Sequence, residues 1–193
     1  MSSASDAEPR SLAELRRVVE AGFRPSFLFF WGHTARGASL GGECLSQWYP
    51  AAFHCEGRTY ATAEHFMMAQ KALLFGDHST LEEILEADSP GEAKRLGRRV
   101  RGFDERVWRT RRSEIVLAGS YAKFSQNAPL RAFLLSTRPR VLVEASPRDA
   151  IWGIGLAAHD PRAQDPLSWQ GANLLGFALM QARARLVEED QRG

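Results

Sequence analysis

Thr59-Tyr60-Ala61-Thr62-Ala63-Glu64-His65-Phe66-Met67-Met68-Ala69-Gln70-Lys71 is the stretch on which the fold turns. Thr62 is a good N-cap, and Gly76 is a natural stop after Leu73-Leu74-Phe75, with nothing between them to break a helix. The spacing predicts a helix that is apolar apart from a carboxylate, an imidazole and an ammonium. Glu64 falls in its first turn. Lys71 follows seven residues later on the same face, about two turns or roughly 10 Å along the axis, leaving room for a sugar-sized ligand.

Upstream of that helix, Ala52-Phe53-His54-Cys55 and Arg58-Thr59-Tyr60 read as a hairpin around Glu56-Gly57, and Phe27-Leu28-Phe29-Phe30-Trp31-Gly32 reads as a buried strand. The glycine-rich segment between them, Gly32 to Gly42, is either a plain surface loop or a cover over a pocket. Ser11-Leu12-Ala13-Glu14 is a capping box that opens a short helix ended by Gly22. Downstream, Ser79-Thr80-Leu81-Glu82 and Ser89-Pro90-Gly91-Glu92 are further capping boxes, the second with proline in the favoured first helical position. They predict two short helices in close succession.

A longer helix is expected from Asp104 toward Phe124, with Val107, Arg111, Ile115, Ala118 and Ala122 on its inward stripe. Arg111 interrupts that stripe, either lying at the rim or pointing into a site. Another helix follows Asn127, over Pro129 to Ser136. Val141-Leu142-Val143-Glu144-Ala145 is a short strand leading into Ser146-Pro147-Arg148-Asp149, and Ala157 to Trp169 is a polar, proline-bearing loop. Asn173 opens a last amphipathic helix through Leu175, Leu179, Ala182 and Leu186.

The chain of 193 residues suits one domain, expected over residues 27–187, with an N-terminal extension carrying the first helix at 1–26 and a charged tail at 188–193. Its fold class is mainly α with a small β component. Charged residues make up 25% and no apolar run could cross a membrane, so neither a membrane nor an export signal is expected, and the cytoplasm is the default compartment. Cys44 and Cys55 are expected to be free thiols. The net charge is only +2, yet Lys94 to Arg112 is strongly basic, which fits either a solvated helix face or an anion site for phosphate. No histidine spacing suggests zinc, and there is neither a Gly-x-Ser-x-Gly elbow nor a Walker loop. Gly153-Ile154-Gly155 lacks the third glycine of a dinucleotide loop. No metal and no cofactor are expected.

Two carboxylates stand out. Glu64 has a plain explanation, since a negative charge complements the helix dipole by roughly 0.3–1 kcal/mol, but Lys71, Met67 and Met68 beside it also suggest a semi-apolar cavity in which a carboxyl could act as acid or base. Asp149 sits just past a strand, a common place for catalytic carboxylates, on residues that also make good turn chemistry. Trp152 either stacks on a base or is core, and glycines on both sides of Ile154 would let a ligand approach the backbone.

Leu45-Ser46-Gln47-Trp48-Tyr49-Pro50, Thr62-Ala63-Glu64-His65-Phe66 with Lys71, Ala87 to Gly97, the block Glu144 to Leu156, and Asn173-Leu174-Leu175-Gly176 together resemble the NADAR (YbiA-like) family, in order over roughly residues 27 to 187. The resemblance implies a single, mainly α-helical YbiA-like domain that cleaves N-glycosidic bonds. Family members are described as hydrolysing phosphoribosyl-pyrimidine intermediates of riboflavin synthesis, or as removing ADP-ribose from modified guanine in nucleic acid. It carries catalytic roles to Glu64, Lys71 and Asp149, and substrate contacts are expected at Trp48, Trp152, Gly153 and Arg111. The implied partner is a small phosphoribosyl or ADP-ribosyl compound, or ADP-ribosylated nucleic acid. Gln47-Trp48, where many relatives have asparagine-phenylalanine, and Phe30-Trp31-Gly32-His33 depart from the family pattern and suggest a subgroup with its own entrance loop.

Overall fold

The computed structural model describes residues 8–34, 37 and 39–192. Residues 1–7 of the expected extension, residues 35, 36 and 38 of the Gly32 to Gly42 loop and residue 193 of the tail lie outside it. From N to C terminus the chain forms α1 (Leu12–Glu20), β1 (Phe27–Phe30), β2 (Phe53–Cys55), β3 (Arg58–Tyr60), α2 (Ala63–Leu74), α3 (His78–Leu85), α4 (Pro90–Gly97), α5 (Glu105–Gln126), α6 (Ala128–Ser136), β4 (Val141–Glu144) and α7 (Leu174–Asp190). The fold is mainly helical with a small β component, as the sequence indicates. None of the described helices is long and apolar enough to cross a membrane.

Local chemistry sets most of the element boundaries. Glu56 and Gly57 take positive φ values of 50° and 78°, the tight turn that pairs β2 with β3 antiparallel. The Thr62 hydroxyl caps α2 by accepting the His65 N–H, and Ser11, Ser89 and Asp104 cap α1, α4 and α5 in the same way. The expected cap at Ser79 is incorrect, because α3 starts at His78 and is capped by Asp77. Asp77 is buried and also accepts the Arg101 N–H and guanidinium, at 2.9 and 2.6 Å; that pairing holds its carboxyl well below the usual carboxylate range.

The second sheet is not foreshadowed by the sequence. β1 runs parallel to β4, with Phe27 opposite Val141 and Phe30 opposite Glu144. α7 lies against β4, and closely: a Cβ on Gly176 would come within 2.1 Å of the Leu142 carbonyl oxygen. Leu175, Leu179, Ala182 and Leu186 of α7 are buried as expected, and α5 packs along the same helix. α2 is buried from Ala63 to Ala69, wedged among α3, α4 and α5. The aromatic run ends sooner than expected: Phe30 is buried, whereas Trp31 is exposed. Two 3-10 turns, Pro161–Gln164 and Pro166–Ser168, break up the expected loop from Ala157 to Trp169.

The predicted inward stripe of α5 holds only in part. Ala122 is buried and Ile115 half-buried against the core, but Val107, Arg111 and Ala118 are exposed, and the buried face also carries Trp108, Val116, Gly119, Ser120 and Lys123. Two contacts explain the shift. Gly119 meets the Phe66 ring, where a Cβ would fall 2.5 Å from Cδ1. The fully buried Lys123 ammonium donates to the Cys44 and Ser46 carbonyls at 2.7 and 2.8 Å. A reading by polarity assigns both positions to solvent.

Candidate functional site

β4 delivers its last residue, Glu144, and the loop after it to one place. Glu144 is pinned through its backbone: its N–H donates to Asn173 Oδ1 at 3.0 Å and its carbonyl accepts the Ile154 N–H at 2.9 Å. The loop between folds into a tight coil around Asp149, whose Oδ1 accepts the N–H groups of Ile151 and Trp152 at 2.9 and 2.8 Å. Two backbone donors on one carboxylate oxygen fix its position. Gly153 closes the coil. A Cβ there would strike the Glu144 carbonyl at 2.7 Å and the Asp149 carbonyl at 3.0 Å. The space that glycine frees is therefore filled by the protein's own backbone, not left for a ligand.

α2 brings Glu64 to this coil from the other side. Its N–H donates to the Gln47 carbonyl at 3.0 Å, tying the first turn of the helix to the Gln47-Trp48 segment. The Glu64 side chain is buried and its Oε1 has no hydrogen-bond partner. Burial raises its pKa to about 7; Lys94 and the Trp48 side chain draw it down, and the Asp149 charge pushes it up. Burial likewise raises Glu144 to about 8, with Asp149 and Glu64 adding to the rise and Lys94 opposing it. The Asp149 charge thus pushes both Glu64 and Glu144 up, and Glu64 adds to the rise at Glu144.

Basic and aromatic groups complete the surround. The Lys94 ammonium stands 5.7 Å from the centre of a Trp48 ring, and Trp48 lies on the first turn of α4, 3.5 Å from where a Gly91 Cβ would be. His33 stacks on Trp48 at a tilt, centroids 5.5 Å apart. Arg112 of α5 is partly buried and within the field of Asp149. A groove of about 550 Å³ borders the same loop, lined by Pro147, Gly155, His159, Arg162 and Gln170, but none of the three carboxylates faces it. Among the described residues no three His, Cys, Asp or Glu side chains converge as metal ligands.

The structure brings together Glu64 and Asp149, with Trp48 against Glu64 and the Trp152 N–H on Asp149. Lys71 is elsewhere: its ammonium donates to the Gly97 carbonyl at 2.8 Å and sits over the Phe103 ring at 4.1 Å, and the charge acting on it is Glu105. Burial lowers its pKa. Arg111 is exposed and pairs with Glu114 at 3.3 Å, so its neighbour Arg112 takes the inward place. The Trp152 ring is partly buried against the core. Sequence reasoning missed Glu144, and it placed Lys94 and Arg112 only within a basic segment that fits either a solvated face or a phosphate site. Glu144 carried one usable signal, a charged residue closing the apolar run Val141-Leu142-Val143 at the head of a family motif.

A mainly helical domain that brings the half-buried carboxyls of a strand-end coil to a buried one at a helix start, beside a tryptophan and a lysine, defines the class. The NADAR domain family profile matches residues 29–187. The chain is 42% identical over 171 residues to N-glycosidase R617 of Acanthamoeba polyphaga mimivirus, covering 86% of this chain and 97% of that protein. It is 37% identical over 134 residues to N-glycosidase YbiA of Escherichia coli (strain K12), covering 69% and 75%. The NMR structure of E. coli YbiA matches with a TM-score of 0.71 at 30% identity, covering 89% of this chain and 90% of that one. Riboflavin biosynthesis protein VVA0006 of Vibrio vulnificus (strain YJ016) is 33% identical over 144 residues, 75% of this chain and 35% of that protein. The chain belongs to the NADAR family.

Proposed function

We propose that the protein is an N-glycosidase that hydrolyses the bond between ribose C1 and a nitrogen, on a ribose bearing a 5′ phosphate or diphosphate. Breaking that bond builds positive charge on the ring, an oxocarbenium-like transition state that a nearby carboxylate stabilises, while a second group moves protons between water and the departing amine. The observation that carries this reading is the meeting of Glu64 and Asp149, distant in sequence and each within the other's field. Asp149, held by two backbone N–H groups, suits the stabilising anion. Glu64, with its pKa near neutrality, suits proton exchange. Lys94 and Arg112 supply positive charge for a phosphate, and Trp48 with His33 an aromatic surface for a base.

The names of the viral and bacterial relatives support the reaction class, and that of the Vibrio protein supports an early phosphoribosylamino-pyrimidine as substrate. An ADP-ribosylated guanine in nucleic acid offers the same C1–N bond. The test is to incubate the protein, and Glu64→Gln beside it, with the phosphoribosylamino-pyrimidine and with an ADP-ribosyl-guanine oligonucleotide. Release of the sugar by the parent and not by the variant is the expected result. Release that survives the substitution removes Glu64 from the chemistry. Binding without release from either compound replaces the enzyme with a non-catalytic module for NAD or ADP-ribose.

A further inference from the structure

Glu144 is held too firmly, and satisfied too poorly, for a residue that merely ends a strand. Its N–H and its carbonyl are both engaged, by Asn173 and by Ile154, so the backbone that presents the side chain is fixed. The carboxyl itself makes no hydrogen bond or ion pair among the described residues. Its Oε2 is shut off from solvent without a partner, as is Glu64 Oε1. A buried polar atom left unpaired is destabilising, and two such atoms on carboxyls coupled through charge form an arrangement that packing alone does not favour. A structural carboxylate would be paired; these two, on different elements, are left without partners and are coupled through charge. The charges around Glu144 come from Asp149 in the following loop, Lys94 on α4 and Glu64 on α2. Those around Glu64 are Lys94, Asp149 and Arg98, and Arg112 of α5 faces Asp149.

We propose that Glu144 is a third catalytic carboxyl, the proton donor to the departing nitrogen, and that Glu64 takes the proton from the attacking water; the proposal rests on the N-glycosidase reading. The C1–N bond breaks with its electron pair moving to nitrogen, and nitrogen receives the Glu144 proton. Asp149 faces the ribosyl cation. Water adds to C1, its proton passes to Glu64, and C1 is left with a hydroxyl. Proton transfer from Glu64 to Glu144, directly or through solvent, restores the starting state. Burial supports proton traffic at both groups, since it raises Glu144 to about 8 and Glu64 to about 7, so each carboxyl can gain and lose a proton near neutral pH.

The experiment compares the parent with Glu144→Gln and Glu144→Asp, using the phosphoribosylamino-pyrimidine and the ADP-ribosyl-guanine oligonucleotide as substrates. Removal of a general acid is expected to lower kcat about 100-fold or more while KM stays within about threefold. The alkaline fall in the parent's kcat against pH should vanish in Glu144→Gln and persist, at reduced rate, in Glu144→Asp. Infrared difference spectra at pH 7 should show a protonated-carboxyl band in the parent that is clearly weakened in Glu144→Gln, with any remainder belonging to Glu64. An active parent whose Glu144→Gln variant keeps kcat within threefold, or loses activity with the alkaline limb and the infrared band unchanged, overturns the role of Glu144 alone. A parent inactive on both substrates overturns the N-glycosidase reading and this role with it.

Discussion

The Asn173 side chain is bonded to β4 as a neighbouring strand would be, accepting the Glu144 N–H at 3.0 Å and donating to the Leu142 carbonyl at 2.9 Å. Asn173 is buried, and its left-handed backbone, φ 52°, lets it do this while its N–H donates to Gly153 and α7 begins immediately after it. One residue thus joins the strand end, the Asp149 coil and the last helix. Asn173→Ala removes two buried hydrogen bonds and leaves alanine in a left-handed conformation that asparagine tolerates better. A loss of about 2–4 kcal/mol is expected in urea unfolding. Activity should fall further than stability explains, because Glu144 and Asp149 lose their common anchor. Asn173→Asp tests the point more finely: it keeps the acceptor for Glu144 but sets an oxygen against the Leu142 carbonyl.

Glu64→Gln should lose activity and gain stability, a combination that marks a residue kept for chemistry. The folded carboxyl has its pKa raised from 4.5 to about 7, so the folded state holds the proton more tightly than the unfolded one. Below pH 4.5 the group costs nothing. As pH rises from 4.5 to 7 the parent loses stability that the glutamine variant keeps, by about 3 kcal/mol at most, with no further change above pH 7. Denaturant midpoints at pH 4 and pH 8 measure it. Equal midpoints for parent and variant at pH 8 would show the carboxyl to be satisfied.

Local rules made part of this molecule legible in its sequence. The Glu56-Gly57 hairpin, the Thr62 and Ser89 caps and the buried face of α7 follow from turn chemistry, capping and helical period, and all three are present. What periodicity could not reveal depends on partners far along the chain. The pairing of β1 with β4 joins opposite ends of the domain. Lys123 faces inward only because two carbonyls wait for it, and Asp77 outcompetes Ser79 as a cap because Arg101 also holds it. The same limit applies to the site. Glu64 and Asp149 stand out at a helix start and a strand end as well as in family motifs, whereas Lys94, Arg112 and Glu144 are brought to them by tertiary packing that no local spacing encodes.

Arg111 and Arg112 are adjacent in sequence and opposite in expected effect. Arg111 is exposed and pairs with Glu114 on its own helix, an interaction that solvent screens. Arg111→Ala should change stability by less than about 0.5 kcal/mol and leave KM unchanged. The Arg112 side chain is only 16% exposed and lies within the field of Asp149. Arg112→Ala should raise KM about tenfold for a 5′-phosphorylated substrate, with a smaller change for the same compound lacking the phosphate. Steady-state kinetics on the two compounds decides it; an equal loss on both would move Arg112 out of the phosphate site.

Lys123 controls the other wall of the site at a distance. Its ammonium holds the carbonyls of Cys44 and Ser46, the turn from which Gln47 and Trp48 project onto Glu64. Burial lowers its pKa from 10.5 to about 7, so the folded state binds this proton less tightly than the unfolded one. Stability from this group therefore rises as pH climbs from 7 to 10.5 and is flat below 7, where both states hold the proton. Lys123→Met keeps the apolar stem, removes the titration and leaves two carbonyls without their donor. The parent's gain in stability across that window should be absent from the variant. KM should rise with little change in kcat, since Trp48 is displaced while the carboxyls stay in place. Amide exchange over Gly42 to Trp48 separates this from general unfolding: faster exchange confined to that segment is expected, and faster exchange throughout would mean that Lys123 serves the core and not the site.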